Sequence, residues 1–276
     1  MYLLSIIHSI CNRTLQYYNC SDSEGKEIRD FFALMTPGFR LYSIIGAEKE
    51  GNFLLHKKQY LYTDCDIARW IVTNKIINQQ RQLKRIRSKS PYDRAAIEIM
   101  QDYIEKLQSA NSNEFLAYEG LAAKIYFEIQ FRGCSWNGRQ PRLKKDYINS
   151  VLDIGYTVLF AYIDALLECF GFDTYCGVYH KQFYMRKSLV CDLIEPFRCI
   201  IDQQIKKACN LKQIKESDFL VINHQYQLKW EETARYISFL LEPIIECRDD
   251  IFVYVQSYYR SFMKEVPIEN YSMFYY

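Results

Sequence analysis

Apolar residues along most of this chain recur three and four positions apart, the spacing of helices that bury one face. The N-terminal part departs from that rule. Tyr2 to Ile7 reads as a strand, and Glu27 to Met35 as a short helix stopped by Pro37-Gly38. Phe39 to Ile45 reads as a second strand, and a turn over Gly46 to Gly51 leads into Asn52 to Lys57 as its hairpin partner. So small a mixed element needs a further surface to pack on, either a second copy of the chain or the face of the next domain.

From Thr63 onward the helical period holds. Asp64 to Arg85 predicts a long helix with Ile67, Trp70, Ile71, Asn74, Ile77, Asn78 and Leu83 on or near one face. Ser90-Pro91, an N-cap followed by proline at the first helical position, opens a second helix that ends near Gln108. Glu114 to Phe131 makes a third and Tyr147 to Phe172 a fourth, with a polar, basic loop from Trp136 to Asp146 between them. Leu189, Val190, Leu193 and Ile194 place a helix from Met185 onward, and on it Asp192 and Glu195, three apart, project from one side. Further helices are predicted over Cys199 to Cys209, Lys229 to Ile245 and Asp249 to Lys264. The fold class that follows is α+β: a small β-containing N-terminal domain over residues 1–62, then a larger all-α domain over residues 63–276.

Composition changes this picture little. Ten glycines and six prolines in 276 residues suit helices better than an all-β fold of tight turns. Ten cysteines without a C-x-x-C pair point away from a zinc site or a disulfide framework and toward reduced, buried thiols in a cytoplasmic protein. Met1 to Cys11 is apolar but lacks a basic n-region and a small-residue cleavage site, so it is not read as a signal peptide. Val151 to Phe172 is the most hydrophobic stretch, yet Asp153, Asp164 and Glu168 interrupt it, which suits a buried core helix rather than a membrane span. The net charge of +2 is small for a protein that grips nucleic acid. Basic residues nevertheless cluster at Arg81, Lys84, Arg85, Arg87 and Lys89, at Arg139, Arg142, Lys144 and Lys145, and at Lys206, Lys207 and Lys212. Each cluster is either a solvated helix face or a track for a phosphate backbone.

Two stretches carry candidate chemistry. YHKQFYMRKSLVCDLIEPFR, from Tyr179 to Arg198, holds His180, one of four histidines, then Arg186-Lys187-Ser188, Asp192 and Glu195. An imidazole, two carboxylates and nearby guanidinium groups make a cradle for a divalent cation and a phosphate; the alternative is a capped core helix with a solvated acidic face. FLAYEGLAAKIYFEIQF places Glu119 in an apolar helix beside Gly120, Ala122 and Ala123, which permit close approach of a neighbour. An acid in such surroundings requires a positive partner, either an arginine or a metal ion.

Three segments in order, NKIINQQRQLKR at Asn74–Arg85, YEGLAAKIYF at Tyr118–Phe127 and GVYHKQFYMRKSLVCDLIEPFR at Gly177–Arg198, together resemble the CRISPR-adaptation integrase family. The resemblance runs from about Phe39 to the region of Glu246. It implies that Glu119, His180 and Glu195 fall on the family's three metal-ligand positions, with Asp192 as a supporting acid. It implies Mg2+ or Mn2+ as cofactor, and two carboxylates with one imidazole suit Mn2+ at least as well as Mg2+. Arg186, Lys187 and Arg198 are then the candidates for holding phosphates near the metal. Arg85, Arg87, Lys89, Arg139, Arg142, Lys144, Lys145 and Asn149 complete the set of expected DNA contacts.

The implied activity is insertion of short DNA duplexes into a CRISPR repeat array by 3′-hydroxyl transesterification. The implied partners are double-stranded DNA, a second copy of the chain in a homodimer or higher assembly, and the family's small ferredoxin-like adaptation protein, with no membrane. The all-α part would be the catalytic domain and residues 1–62 the dimerisation domain. The chain departs from the family at two places. Lys144 and Lys145 stand where a proline usually precedes the acid matched by Asp146, and beside the family the N-terminal domain looks shortened at its start. Rival readings are a transposon-encoded integrase of the same fold, which would usually carry a helix-turn-helix after the segment that here is only EVPIENYSMFYY, and a non-catalytic DNA-binding helical scaffold.

Overall fold

The structure, a computed structural model, describes residues 32–36, 40–44, 52–180 and 183–276. Strands β1 (Phe32–Thr36) and β2 (Arg40–Ile44) pair antiparallel, with Phe32 opposite Ile44 and Thr36 opposite Arg40. Part of the short helix expected over Glu27 to Met35 is therefore strand, and it is this segment that pairs with the strand expected from Phe39. Asn52 to Lys57 is not the hairpin partner. Asn52 caps a helix, α1 (Phe53–Leu61), its side chain accepting the Leu55 N–H at 3.1 Å. Leu55 and Gln59, one turn apart, face inward, and Gln59 exchanges two hydrogen bonds with the backbone of Asp173. The strand expected over Tyr2 to Ile7 lies outside the described residues.

Helices α2 (Asp66–Lys84), α3 (Pro91–Leu107) and α4 (Ser112–Gln130) surround one hydrophobic cluster. A second and larger cluster is built by α5 (Tyr147–Cys169), α6 (Ser188–Leu193), α7 (Arg198–Asn210), α8 (Thr233–Glu246) and α9 (Arg248–Lys264). Helix α2 belongs to both: Ile67, Trp70 and Ile71 face the larger cluster, and Ala68, Val72, Ile76 and Leu83 the smaller. The start of α3 follows the expectation from its sequence, since Ser90 and Asp93 cap each other reciprocally around Pro91. Helix α5 is long and apolar enough to cross a membrane, and most of it is buried inside the protein as a core helix. At Gly155 an added Cβ would lie 2.4 Å from Ile201 Cγ2, so this glycine lets α7 close on α5.

Two features differ from the expected pattern. The helix read from Met185 onward begins only at Ser188, because Met185 turns the backbone to φ +56°. It stops after Leu193, and a 3-10 turn, Glu195–Phe197, leads into α7. Asp192 and Glu195 therefore leave from different elements and find different partners. The helical part also contains an unexpected hairpin, β3 (Phe219–Ile222) and β4 (Gln225–Leu228), closed by Asn223-His224 with both residues at positive φ. That is the geometry a two-residue hairpin loop demands.

Candidate metal centre

The centre is organised by a buried polar stripe on α2. Asn74, Asn78 and Gln82 recur every four residues, and each donates its amide N–H to distant backbone. Asn74 donates to the Phe274 carbonyl and accepts the Phe274 N–H. Asn78 donates to the carbonyls of Pro196 at 3.1 Å and Phe274 at 3.0 Å and accepts the Tyr276 N–H. Gln82 donates to the Cys199 carbonyl at 2.6 Å. Together these bonds pin the 196–199 segment to α2, and with it the side chain of Glu195.

Glu195, 4% exposed, and Glu119 of α4 converge on the ammonium of Lys75, which projects from α2. Lys75 donates to Glu119 Oε1 and stands 2.6 Å from Glu195 Oε2 as an ion pair; that oxygen has no hydrogen-bond donor of good geometry. The second oxygen of each carboxylate is also engaged: Tyr179 Oη donates to Glu119 Oε2, and Arg198 Nη2 lies 2.9 Å from Glu195 Oε1. Burial acts to raise the Glu195 carboxyl, but Arg198 and Lys75 outweigh it and hold the group below the usual carboxylate range. Burial and the facing Glu119 carboxylate push the Tyr179 phenol up, so it serves Glu119 as a proton donor.

His180 is set by Asp192. That carboxylate is fully buried and accepts the N–H groups of Val178 at 2.6 Å, Tyr179 at 3.0 Å and His180 at 2.8 Å. Asp192 Oδ1 also lies 2.7 Å from His180 Nδ1, leaving Nε2 as the ring nitrogen open to a ligand. Gly177 makes this possible, because a Cβ there would come within 2.6 Å of Ser188 Cβ and 2.8 Å of Asp192 Oδ2. Beneath the site, Arg198 stacks on Tyr156 at 4.7 Å, and the hydroxyls of Tyr156 and Tyr126 both bind buried Asp202. Burial pushes the Asp202 carboxyl up to about 6 against the opposing pull of the two tyrosines and Arg198.

The donor set fits a divalent ion. A buried carboxylate, Glu195, and a half-buried one, Glu119, already face one cation, and the histidine is held through Nδ1 by a carboxylate, the arrangement that orients a metal-binding imidazole. The three donors do not close tightly, since the Lys75 ammonium stands between the glutamates. Among the described residues, the three-donor group with ligand atoms within 4.8 Å of one another is Asp64, Cys65 and Asp66, at the start of α2. There Asp66 is paired with Arg69, and Asp64 accepts the N–H groups of Cys65 and Asp66.

Lys75 and Tyr179 are the residues that sequence reasoning misses. The positive partner of Glu119 is a lysine one turn of helix from apolar Ile71 and Val72, inside the quoted segment NKIINQQRQLKR, rather than an arginine. Gly120 also differs from its reading: nothing lies near its Cβ position, and Ala122 is the small residue in close contact.

The expected DNA-contacting residues divide. Arg87, Arg142 and Lys145 are exposed, as is Arg85, whose guanidinium lies over the Tyr276 ring. Lys89 donates to the Ile86 carbonyl, and Lys144, half-buried, takes the Tyr226 N–H on its own carbonyl. Arg186 is half-buried. Lys187 is tied to Asp164 and Glu168, and Arg198 to Glu195. Two further expected contacts, one buried and one half-buried, are engaged within the chain. Asn149 is fully buried and braces the 138–146 loop through Gly138, Gln140 and Asp146. Arg139 pairs with Asp153 at 2.7 Å and binds Asn149. These hydrogen bonds tie both residues to the fold.

Known proteins bear on this geometry. Residues 31–241 match the family model described as CRISPR associated protein Cas1. A CRISPR-associated endonuclease Cas1 of Thermodesulfovibrio yellowstonii is 29% identical over 201 residues, covering 67% of this chain and 63% of that protein. One from Leptospira interrogans is 32% identical over 169 residues, covering 56% of this chain and 66% of its own. The chain thus spans less than two thirds of the length of these curated relatives. Among solved structures, a partial Cas6-RT-Cas1–Cas2 complex superposes with a TM-score of 0.72 at 23% identity, covering 84% of this chain and 75% of that one. A casposase bound to integration product gives 0.68 at 19% identity, covering 86% of this chain and 72% of that one. At these identities the two structures share its fold. The family match spans most of the helical body and includes Lys75, Glu119, His180 and Glu195, and on that ground the chain belongs to the Cas1 family of CRISPR-associated proteins.

Proposed function

We propose that this protein is a metal-dependent DNA integrase that inserts short DNA duplexes into a CRISPR repeat array. The observation that carries the reading is the convergence of Glu119 and Glu195, from elements distant in sequence, on a single cation beside a carboxylate-held histidine. Relatives of this chain are named endonucleases, and one protein of the same fold is a casposase bound to integration product.

In the reaction, the 3′-oxygen of an incoming strand forms a bond to a phosphorus of the repeat, and the bond from that phosphorus to the original 3′-oxygen breaks. One phosphodiester replaces another, so no nucleotide triphosphate is consumed. Glu119, Glu195 and His180 Nε2 would hold Mg2+ or Mn2+. The ion would supply charge neutralisation at the attacked phosphate and ease loss of the hydroxyl proton. Asp192 keeps the imidazole oriented and fixes the proton on Nδ1. Arg198 and Arg186 supply positive charge beside the site, and Arg87, Arg142 and Lys145, with Arg85 and Lys89, grip the duplex farther out. Residues 63–276 form the catalytic domain. Residues 1–62 serve dimerisation, and a small adaptation protein of the kind named in the Cas1–Cas2 assemblies docks on the dimer.

The test is joining of a labelled duplex to a plasmid carrying a repeat array, with Mn2+ or Mg2+. His180→Ala and Glu119→Gln should abolish joining while duplex binding stays close to that of the parent protein. Asp192→Ala, which frees the imidazole and the three backbone N–H groups that hold its segment, should lower joining by about 10- to 100-fold. Joining at the parental rate by His180→Ala would remove the assignment. Insertion with equal frequency into plasmids lacking a repeat, given ends of terminal-inverted-repeat type, would favour a transposon-type integrase instead. No metal-induced rise in melting temperature would favour a non-catalytic scaffold.

A further inference from the structure

The four charged groups at the heart of the site, Glu119, Glu195, Lys75 and Arg198, already sum to zero without a metal. Lys75 takes one oxygen from each glutamate, Glu119 Oε1 and Glu195 Oε2, while the other two oxygens are covered by Tyr179 and Arg198. The oxygens that an incoming ion must use are thus those that the ammonium holds. A lysine and a divalent ion cannot share them, because like charges a few ångströms apart in a buried site repel strongly. Lys75 has the means to leave. Its side chain is 11% exposed, and a four-carbon stem lets the ammonium swing without moving α2. Tyr179 and Arg198 are not equivalent to it, since each touches only one of the two carboxylates.

We infer that Lys75 is an exchangeable internal counter-cation: it holds the two glutamates together in the metal-free protein, and metal binding proceeds by its displacement. The lysine consequently sets how much free metal is needed before the site fills. This rests on the reading of Glu119 and Glu195 as metal ligands, and it adds a role to a residue that does not itself bind the ion. The closed, lysine-filled form lowers the apparent affinity in proportion to its population.

The experiment uses the full chain and Mn2+ alone, with free ion followed by electron paramagnetic resonance. Lys75→Met and Lys75→Gln should each bind one Mn2+ at least about tenfold more tightly than the parent, the shift expected if the closed form holds nine tenths of the molecules. In the parent protein, saturating Mn2+ should raise acetylation of the Lys75 amine by an amine-reactive ester about threefold or more relative to the other lysines, read by mass spectrometry. This second measurement needs no variant to fold. Unchanged Mn2+ affinity in both variants, or unchanged Lys75 acetylation while the parent binds Mn2+, overturns the inference. Glu119→Gln separates it from the reading it rests on. If the parent binds no Mn2+, or if Glu119→Gln binds it as well as the parent, the metal assignment itself falls, and the exchange falls with it.

Discussion

At the scale of single residues, the centre is built from groups that are costly to bury and are therefore all spoken for. Asp202 is the extreme case, a carboxylate with 1% of its surface exposed whose partners are two phenols. Its carboxyl is pushed up to about 6, above the ordinary value of 3.8. The native state therefore binds this proton more tightly than the unfolded chain. The stabilisation from a protonated Asp202 is complete below about pH 4 and is lost as pH rises to about 6, a change worth about 3 kcal/mol. Asp202→Asn cannot ionise, so its unfolding free energy relative to the parent should rise across that interval and level off above it. Paired urea titrations at several pH values measure the difference directly, and a constant offset would contradict it. Glu119, His180 and Glu195 were singled out as candidates because an acid, a histidine and a second acid sat in segments with a family pattern. Lys75 and Asp202 were not, because a lysine or aspartate on a helix reads as a surface residue unless the fold is known to bury it.

At the scale of elements, the polar stripe of α2 does what an apolar stripe would do elsewhere: it fastens distant chain to the helix. Asn78→Ala would remove one donor each from the Pro196 and Phe274 carbonyls, which keep Cys199 Sγ and Asn74, and would leave the Tyr276 N–H without its side-chain acceptor. A loss of about 2–4 kcal/mol in unfolding free energy is expected, measured by urea denaturation. The helices of the body were readable from their period and from caps such as Ser90-Pro91. Periodicity misleads where local signals are weak or compete. Asn52 reads as the first residue of a hairpin strand and is a helix cap, and its helix buries only Leu55 and Gln59, too few positions for a clear period. The β3–β4 hairpin was missed because its loop is Asn223-His224, and histidine at positive φ is not the glycine that usually announces such a turn.

At the scale of the whole molecule, a net charge of +2 conceals an uneven surface. Of the three basic groups recognised in the sequence, the 139–145 loop spends Arg139 internally, while Arg142 and Lys145 remain exposed, as do Arg85 and Arg87. Several phosphate contacts from these positions should make duplex affinity fall at least about tenfold between roughly 50 and 200 mM salt, by release of counterions. Fluorescence anisotropy of a labelled duplex tests this, and a flat dependence would remove both basic segments from the binding surface. The division into two hydrophobic clusters was invisible in the sequence, because one helix, α2, lines both and its apolar positions read as a single face.

That shared helix has a consequence for how the protein is made. The smaller cluster is complete within residues 65–129 apart from Tyr179, so it is able to collapse while the rest of the chain is still on the ribosome. Lys75 then meets Glu119 before Glu195 has been synthesised, and the first carboxylate of the centre is neutralised from birth. A nascent chain built in this order offers stray ions no bare acidic pocket until the second glutamate arrives to complete it.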